Sequence, residues 1–397
     1  VFNHANDYAG GTIIYQGTVL AAHPEALGTG PITVGNWTAT DTMLAVSGDI
    51  TLTNAIVLSG KTGALVPSPV GVNNVFDPTT YQAGTNTLSG PITLAGATCW
   101  AVGSDAGLLI VNGGLVNNQN GPLCQFFLRG SAEGVWNSAL KDASTANRLM
   151  LEKTDAGTWT VASTNTFTGR TLVSDGKLIL TGALNGSSNV VVKSGATLAG
   201  TGWITGAVTN SGTIDLSDDD VLRPLTVNGV YLMDYLATVK LSVGPEGNDS
   251  IGGMPLCVLD GILEVVLEGP LTGNAVFKLF DAAAYEGAFA GYDLPDISPL
   301  SWDTSSLAVD GTLRVTGGAP VVPEISHVSY TEAGGLVLSG SGPLVGNFIV
   351  LASDDVTAPL ADWTEVGQGT FSNGTFTFTD PTATNAPQRF YRVMIVP

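Results

Sequence analysis

The feature that most restricts how this chain can fold is a stretch that occurs twice. Asn165-Thr-Phe-Thr-Gly-Arg-Thr-Leu-Val-Ser-Asp-Gly-Lys-Leu178 aligns without a gap on Asn6-Asp-Tyr-Ala-Gly-Gly-Thr-Ile-Ile-Tyr-Gln-Gly-Thr-Val19. Asn6 falls on Asn165, Tyr8 on Phe167, Gly10 on Gly169, Thr12 on Thr171 and Gly17 on Gly176. Both copies run on into Ala-Leu and a β-branched triplet, Ala26-Leu27 with Ile32-Thr33-Val34 and Ala183-Leu184 with Val190-Val191-Val192. Internal similarity of this kind predicts a solenoid, in which each repeat buries its apolar face only against its neighbours.

The spacing of smaller motifs sets the size of one turn. Gly30-Pro-Ile-Thr-Val34 recurs as Gly90-Pro-Ile-Thr-Leu94, and Gly176, Gly195 and Gly212 lie 19 and 17 residues apart. That interval suits one coil of short strands and tight turns, with glycine at corners of positive φ and alternating apolar residues pointing into the bore. Two stretches, Lys61 to Gly84 and Asn117 to Asn147, break the rhythm and read as loops thrown out from the rod.

Composition narrows the class. Only 12% of the 397 residues are charged, against 44% apolar, which is too little charge to keep an unfolded chain solvated. The 14 Lys and Arg face 34 Asp and Glu, and a net charge of −20 repels nucleic acid. No apolar run is long enough to span a bilayer. The chain opens at Val1 without an initiator Met, as expected of a processed product or an excised piece. Of three cysteines, Cys99 and Cys124 lie a little over one turn apart, so a bridge across adjacent rungs is one reading and two free thiols the other. Cys257, between Leu256 and Val258, reads as a buried thiol.

Leu151-Glu-Lys-Thr-Asp-Ala-Gly-Thr-Trp-Thr-Val161, followed by Asn165-Thr-Phe-Thr-Gly169 and Gly176-Lys-Leu178, resembles the autotransporter-associated β-strand repeat. Gly195-Ala-Thr-Leu-Ala-Gly-Thr-Gly202 continues the match, and the resemblance covers roughly residues 1–216. It implies a right-handed β-helix on an exported, surface-attached bacterial protein, without a catalytic residue. Few repeats are present, and no outer-membrane barrel follows them.

Residues 217–318 carry longer alternating strands and resemble the closing segment that caps such a stack. Gly317-Gly-Ala-Pro-Val-Val-Pro323 reads as a linker within a third region, 319–397. Six or seven short strands between Glu324 and Pro397 predict a small β-sandwich of immunoglobulin or fibronectin type. The expected class is all-β, a right-handed β-helix followed by a sandwich.

Chemistry-bearing motifs are sparse. Gly60-Lys61-Thr62 lacks the earlier glycine of a phosphate loop. His4, His23 and His327 are far apart in sequence, so no metal triad and no cofactor site is expected. Asp218-Asp219-Asp220 is a candidate for Ca²⁺, although a solvated acidic turn is the plainer reading, and Asp354-Asp355 reads alike. A polysaccharide lyase or hydrolase needs carboxylates at one repeat position. Glu152, Asp155, Asp175 and Asp215 share none, and Lys177 and Lys193 are not paired with them.

The expectation is a non-catalytic extracellular protein that assembles head-to-tail into a bacterial surface fibre or layer. Strand addition at the first rung, through Val1, Phe2, Asn6 and Tyr8, would supply the contact, with other copies of the chain as partners. The rival reading is a monomeric adhesin or glycan-binding module using loops around Trp37, Trp100 and Trp136.

Overall fold

The computed structural model describes residues 1–35, 42–59, 70–74, 84–96, 99–218, 222, 224–317, 322–331, 335–343, 345–383 and 387–396, with backbone alone at 70–74 and 345. Two compact units divide the chain, Val1–Gly317 and Gly318–Pro397.

The first unit is a three-sided β-solenoid. Short strands recur in a fixed order around the coil, and each pairs in parallel with its counterpart one turn away. One face is a 12-stranded sheet running from Gly17–Ala21 to Tyr285–Gly287, and a second runs from Thr51–Leu52 to Gly291–Asp293. The third face has two parts, a 5-stranded sheet ending at Leu115–Gln119 and a 6-stranded sheet beginning at Thr164–Asn165. Between them Leu140 continues the stack without forming a strand: its N–H donates to Asn165 Oδ1 at 2.9 Å, and its carbonyl accepts from Thr166 N at 2.9 Å.

Register explains why these residues form these strands. On the second face Leu109, Gly134, Trp159, Leu178, Leu198, Ile214, Val239 and Leu263 occupy one inward row, turn upon turn. All are buried, and each large aliphatic member contributes roughly 1.5–3 kcal/mol through removal from water. Gly134 is small for a reason, since a Cβ there would sit 2.5 Å from the Trp159 indole. The row continues beyond Leu216, so the longer strands Thr238–Gly244 and Ile262–Leu267 belong to the same faces.

Beside the last turn the topology changes. Val276–Lys278, Thr312–Gly317 and Leu300–Asp303 form a three-stranded antiparallel sheet, joined by the short helix Leu307–Asp310. Phe277, Leu279, Phe280, Phe289, Leu307, Leu313 and Val315 are buried in one cluster with the bore residues, which closes the apolar end of the coil.

The expected loop over Asn117–Asn147 is mostly ordinary turn: Leu123–Arg129 and Glu133–Trp136 lie in the two long faces. Punctuation by Asn and Gly marked corners there, not an excursion. Most of Lys61–Gly84 lies outside the described residues, while the backbone of Val70–Asn74 is a strand of the first face.

The second unit is one curled antiparallel sheet of six strands. Their spatial order is Glu324–Tyr330, Leu336–Ser341, Thr375–Asp380, Thr364–Ser372, Val345–Ser353 and Phe390–Val396. The expected two-sheet sandwich is not what these strands build. A single sheet must bend over its own apolar face, and Leu336, Leu338, Phe348, Val350, Phe371, Phe376 and Val393 form that cluster. Phe348 meets Phe371 at 5.0 Å and Phe376 at 5.3 Å between ring centroids.

Candidate functional site

The outward side of the second face carries the arrangement most like a site. Asp215, Lys240, Glu264 and Asp293 stack in register on successive turns, so carboxylates do share a repeat position. Of these four, only Asp215 is named from the sequence above. The available signal was a charged residue between two apolar ones, in Ile-Asp215-Leu, Val-Lys240-Leu, Leu-Glu264-Val and Tyr-Asp293-Leu.

Lys240 Nζ lies 3.1 Å from Glu264 Oε1, with both side chains about one-third exposed (31% and 33%). The hydrogen bond to Glu264 is the main influence raising the ammonium above the ordinary lysine range; Asp215 and Asp293 add to it, and slight burial opposes it. A lysine so held stays cationic at neutral pH and is a poor proton acceptor. Nearby, burial lowers Lys177, which forms an ion pair with Asp218, while Asp215 attracts its charge and Lys240 repels it. The ladder is built to pair charge across turns.

The only lysine fully buried among the described residues is Lys153. Its Nζ donates to the carbonyls of Thr154 at 2.7 Å, Asp155 at 2.6 Å and Asp175 at 3.1 Å. Burial pushes it down to about 8, and the charges of Asp155 and Asp175 work the other way. Its three contacts tie one corner to the next.

The residues singled out at the first turn are placed as follows. Phe2 bridges Ala21 in parallel, with Phe2 N donating to Leu20 O at 2.8 Å and Ala22 N to Phe2 O at 2.9 Å. Asn6 Nδ2 donates to Ala26 O at 2.7 Å, and Tyr8 O accepts from Thr29 N at 3.0 Å. Residues 1–11 thus trace a turn stacked on residues 20–30. Val1 is 69% exposed, Phe2 44% and Tyr8 38%, and Ile13 and Tyr15 are exposed beside them.

The interior copy of the repeat shows what these positions do when both neighbours are present. Asn165 is fully buried, donating to Ser163 O at 2.7 Å and Ala183 O at 3.0 Å while accepting from Leu140 N of the preceding turn. Phe167 is fully buried, whereas its equivalent Tyr8 is exposed. A Cβ on Gly169 would meet Leu149 O at 2.1 Å, and one on Gly10 would meet nothing.

The remaining candidates separate. Cys99, Cys124 and Cys257 are free thiols. The Cys99–Cys124 bridge is not formed: Cys99 lies opposite Gln125 and Cys124 opposite Leu149, and Cys124 faces the core whereas Cys99, next to inward Trp100, faces out. Trp100 and Trp136 are fully buried on strands, so neither is the exposed platform the adhesin reading required; Trp37 lies outside the described residues. Asp219 and Asp220, together with Gly60-Lys61-Thr62, also lie outside them. Asp355 accepts from Thr357 N and Oγ1 in a local turn. Among the described residues no cluster of three or more His, Cys, Asp or Glu is arranged to hold a metal. Among them, too, no helix is long and apolar enough to cross a membrane.

Residues 1–21 and 151–180 match a family model described as the passenger-associated-transport-repeat. No curated protein matches the chain, and no solved structure does. The matched segments are the two copies compared above, one at the first turn and one inside the stack.

Proposed function

We propose that this is a non-catalytic structural protein of the exported, passenger type, displayed at a bacterial surface and assembled with other copies of itself. The passenger-associated repeat supports the exported reading. The lysine-centred ladder supports the non-catalytic one, because Lys240, its one cation, is held by Glu264 and stays charged rather than being poised to exchange a proton.

One observation carries the assembly reading: Phe2, Ile13 and Tyr15 leave apolar surface exposed beside the first strands. A strand edge of this sort, flanked by Phe2, Ile13 and Tyr15, is a template for pairing. The head-to-tail form expected from sequence would stack a first turn on the last turn of a neighbour. Among the described residues the small antiparallel sheet pairs with none of the outer strands there, Phe280–Ala282, Tyr285–Gly287 and Gly291–Asp293. The proposed contact keeps that head-to-tail form, a first turn set on the outer strands of a neighbour's last turn.

The test is electron microscopy and light scattering on the full chain beside the Ile13→Lys variant. Ile13 is exposed on an edge strand, so a lysine there leaves the fold intact and sets a charge at the contact. Assembly by the parent and its loss in the variant are expected. Equal assembly by both places the contact elsewhere.

A further inference from the structure

Five Asn-Gly pairs lie between strands: Asn112-Gly113, Asn120-Gly121, Asn185-Gly186, Asn228-Gly229 and Asn373-Gly374. In such a pair the glycine leaves its amide nitrogen unhindered, and that nitrogen is tethered beside the carbonyl carbon of the asparagine side chain. Folding decides which pairs are free to react. Asn112 is held, since its Oδ1 accepts from Asn137 Nδ2 at 2.7 Å and Gly113 N donates to Leu88 O at 3.1 Å. Asn373 and Gly374 form the tip of a tight hairpin, with φ fixed at 50° and 74°. At Asn120, Asn185 and Asn228 the side chain is exposed, and among the described residues neither it nor the following glycine N–H makes a hydrogen bond.

Asn185 differs from the other two at its main-chain carbonyl. Thr205, on the next turn, donates its hydroxyl to Asn185 O at 2.7 Å, and Leu184 O at 3.2 Å is the more distant acceptor for the same proton. Beside Asn228 the next turn places Gly253, which has no side chain to donate. When the Gly186 N–H ionises, its negative charge is shared with Asn185 O through the peptide bond, and a donor already aimed at that oxygen stabilises it. Asn185 N, donating to Asn165 O at 2.9 Å, holds the corner from the other side.

We propose that Asn185-Gly186 is a site of spontaneous modification, converted with water into an aspartyl or isoaspartyl link, and that the Thr205 hydroxyl promotes the conversion. Gly186 N gives up its proton to water and bonds to Asn185 Cγ; the Cγ–Nδ2 bond breaks and the nitrogen leaves as ammonia, which closes a cyclic imide. Water then opens either imide C–N bond. Addition at Cγ restores the main chain with an aspartate side chain, whereas addition at the main-chain carbonyl reroutes the chain through Cβ and Cγ and lengthens it by a methylene. Nothing is oxidised or reduced: an amide and water become a carboxylic acid and ammonia. The corner has no room for the longer chain, because even a Cβ on Gly186 would lie 2.5 Å from Thr166 O and 2.6 Å from Phe167 O. Modification therefore loosens the stack beside the interior copy of the repeat.

Peptide mapping by mass spectrometry tests this on the full chain incubated in mildly alkaline buffer, with isoaspartyl methyltransferase marking the isomerised product. Asn185 is expected to convert roughly three- to tenfold faster than Asn120 and Asn228, the worth of one hydrogen bond, and Asn112 more slowly than any of them. Unfolding in guanidinium is expected to erase the difference between Asn185 and Asn228. Thr205→Val, a near-isosteric change, is expected to bring Asn185 down to the rate of Asn228, while Thr205→Ser keeps the faster rate. Equal rates at Asn185 and Asn228 in the folded parent overturn the inference. So does a Thr205→Val chain in which Asn185 keeps its lead, or a lead that persists in guanidinium.

Discussion

Asn6 and Asn165 hold the same place in the repeat but satisfy different numbers of backbone groups. Asn165 answers three in a fully buried setting, while Asn6 answers Ala26 O and, at 3.3 Å, His4 O. Asn165→Ala should therefore cost about 3 kcal/mol, since it strands a buried N–H and two carbonyls, and Asn6→Ala about 1 kcal/mol. Urea titrations of the two variants check the difference; equal losses would mean that the first turn is as enclosed as the interior one. Buried titratable groups set the alkaline limit. Burial raises Cys124 to about 11 and Cys257 to about 12, against an ordinary thiol value of 9.0. Above about pH 9 the unfolded chain thus releases protons that the folded chain keeps, and stability falls as pH climbs through that window. Lys153 has the opposite sign, for its folded value of about 8 lies below the ordinary 10.5. Between those values the unfolded chain holds a proton that the folded chain has lost, so stability rises with pH. Thermal midpoints are expected to hold or rise from pH 8 to 9 and then fall. Lys153→Met removes the rise and keeps the fall; a parent that weakens as the pH rises from 8 to 9 contradicts this assignment.

At the scale of the element, each strand is anchored by register, and the charged ladder shows what one misplaced charge does. Lys240→Met leaves Asp215, Glu264 and Asp293 in one row with no cation between them. Because these groups are partly exposed, the expected loss is only about 1 kcal/mol, recovered in part at high salt. Melting at low and high ionic strength checks it, and a salt-independent loss would point to packing. The inward rows were legible in the sequence, because Gly-x-Leu and β-branched triplets encode both corner and strand. The outward ladder was not. Its members sit on turns of unequal length, and only the three-dimensional register brings them into line. Asn117–Asn147 was misread for a related reason, as Gln119, Asn117 and Asn137 are corner or ladder residues whose side chains bond to other turns.

The whole molecule is organised by a difference between two ends of one coil. The repeat announced the solenoid, whose two long faces run on past residue 216. The C-terminal unit was legible as strands but not as layers: strand spacing is the same for two packed sheets and for one curled sheet, and only pairing order distinguishes them. The central claim is that the first turn takes up a neighbour where the closing sheet does not. Hydrogen–deuterium exchange of the full chain at low and high concentration tests it most directly. Slower exchange at high concentration in Phe2 and Thr12–Ala21, with Val276–Lys278 and Leu300–Gly317 unchanged, is the predicted result. Protection confined to the closing sheet, or no change at the first turn in an assembled sample, would contradict it.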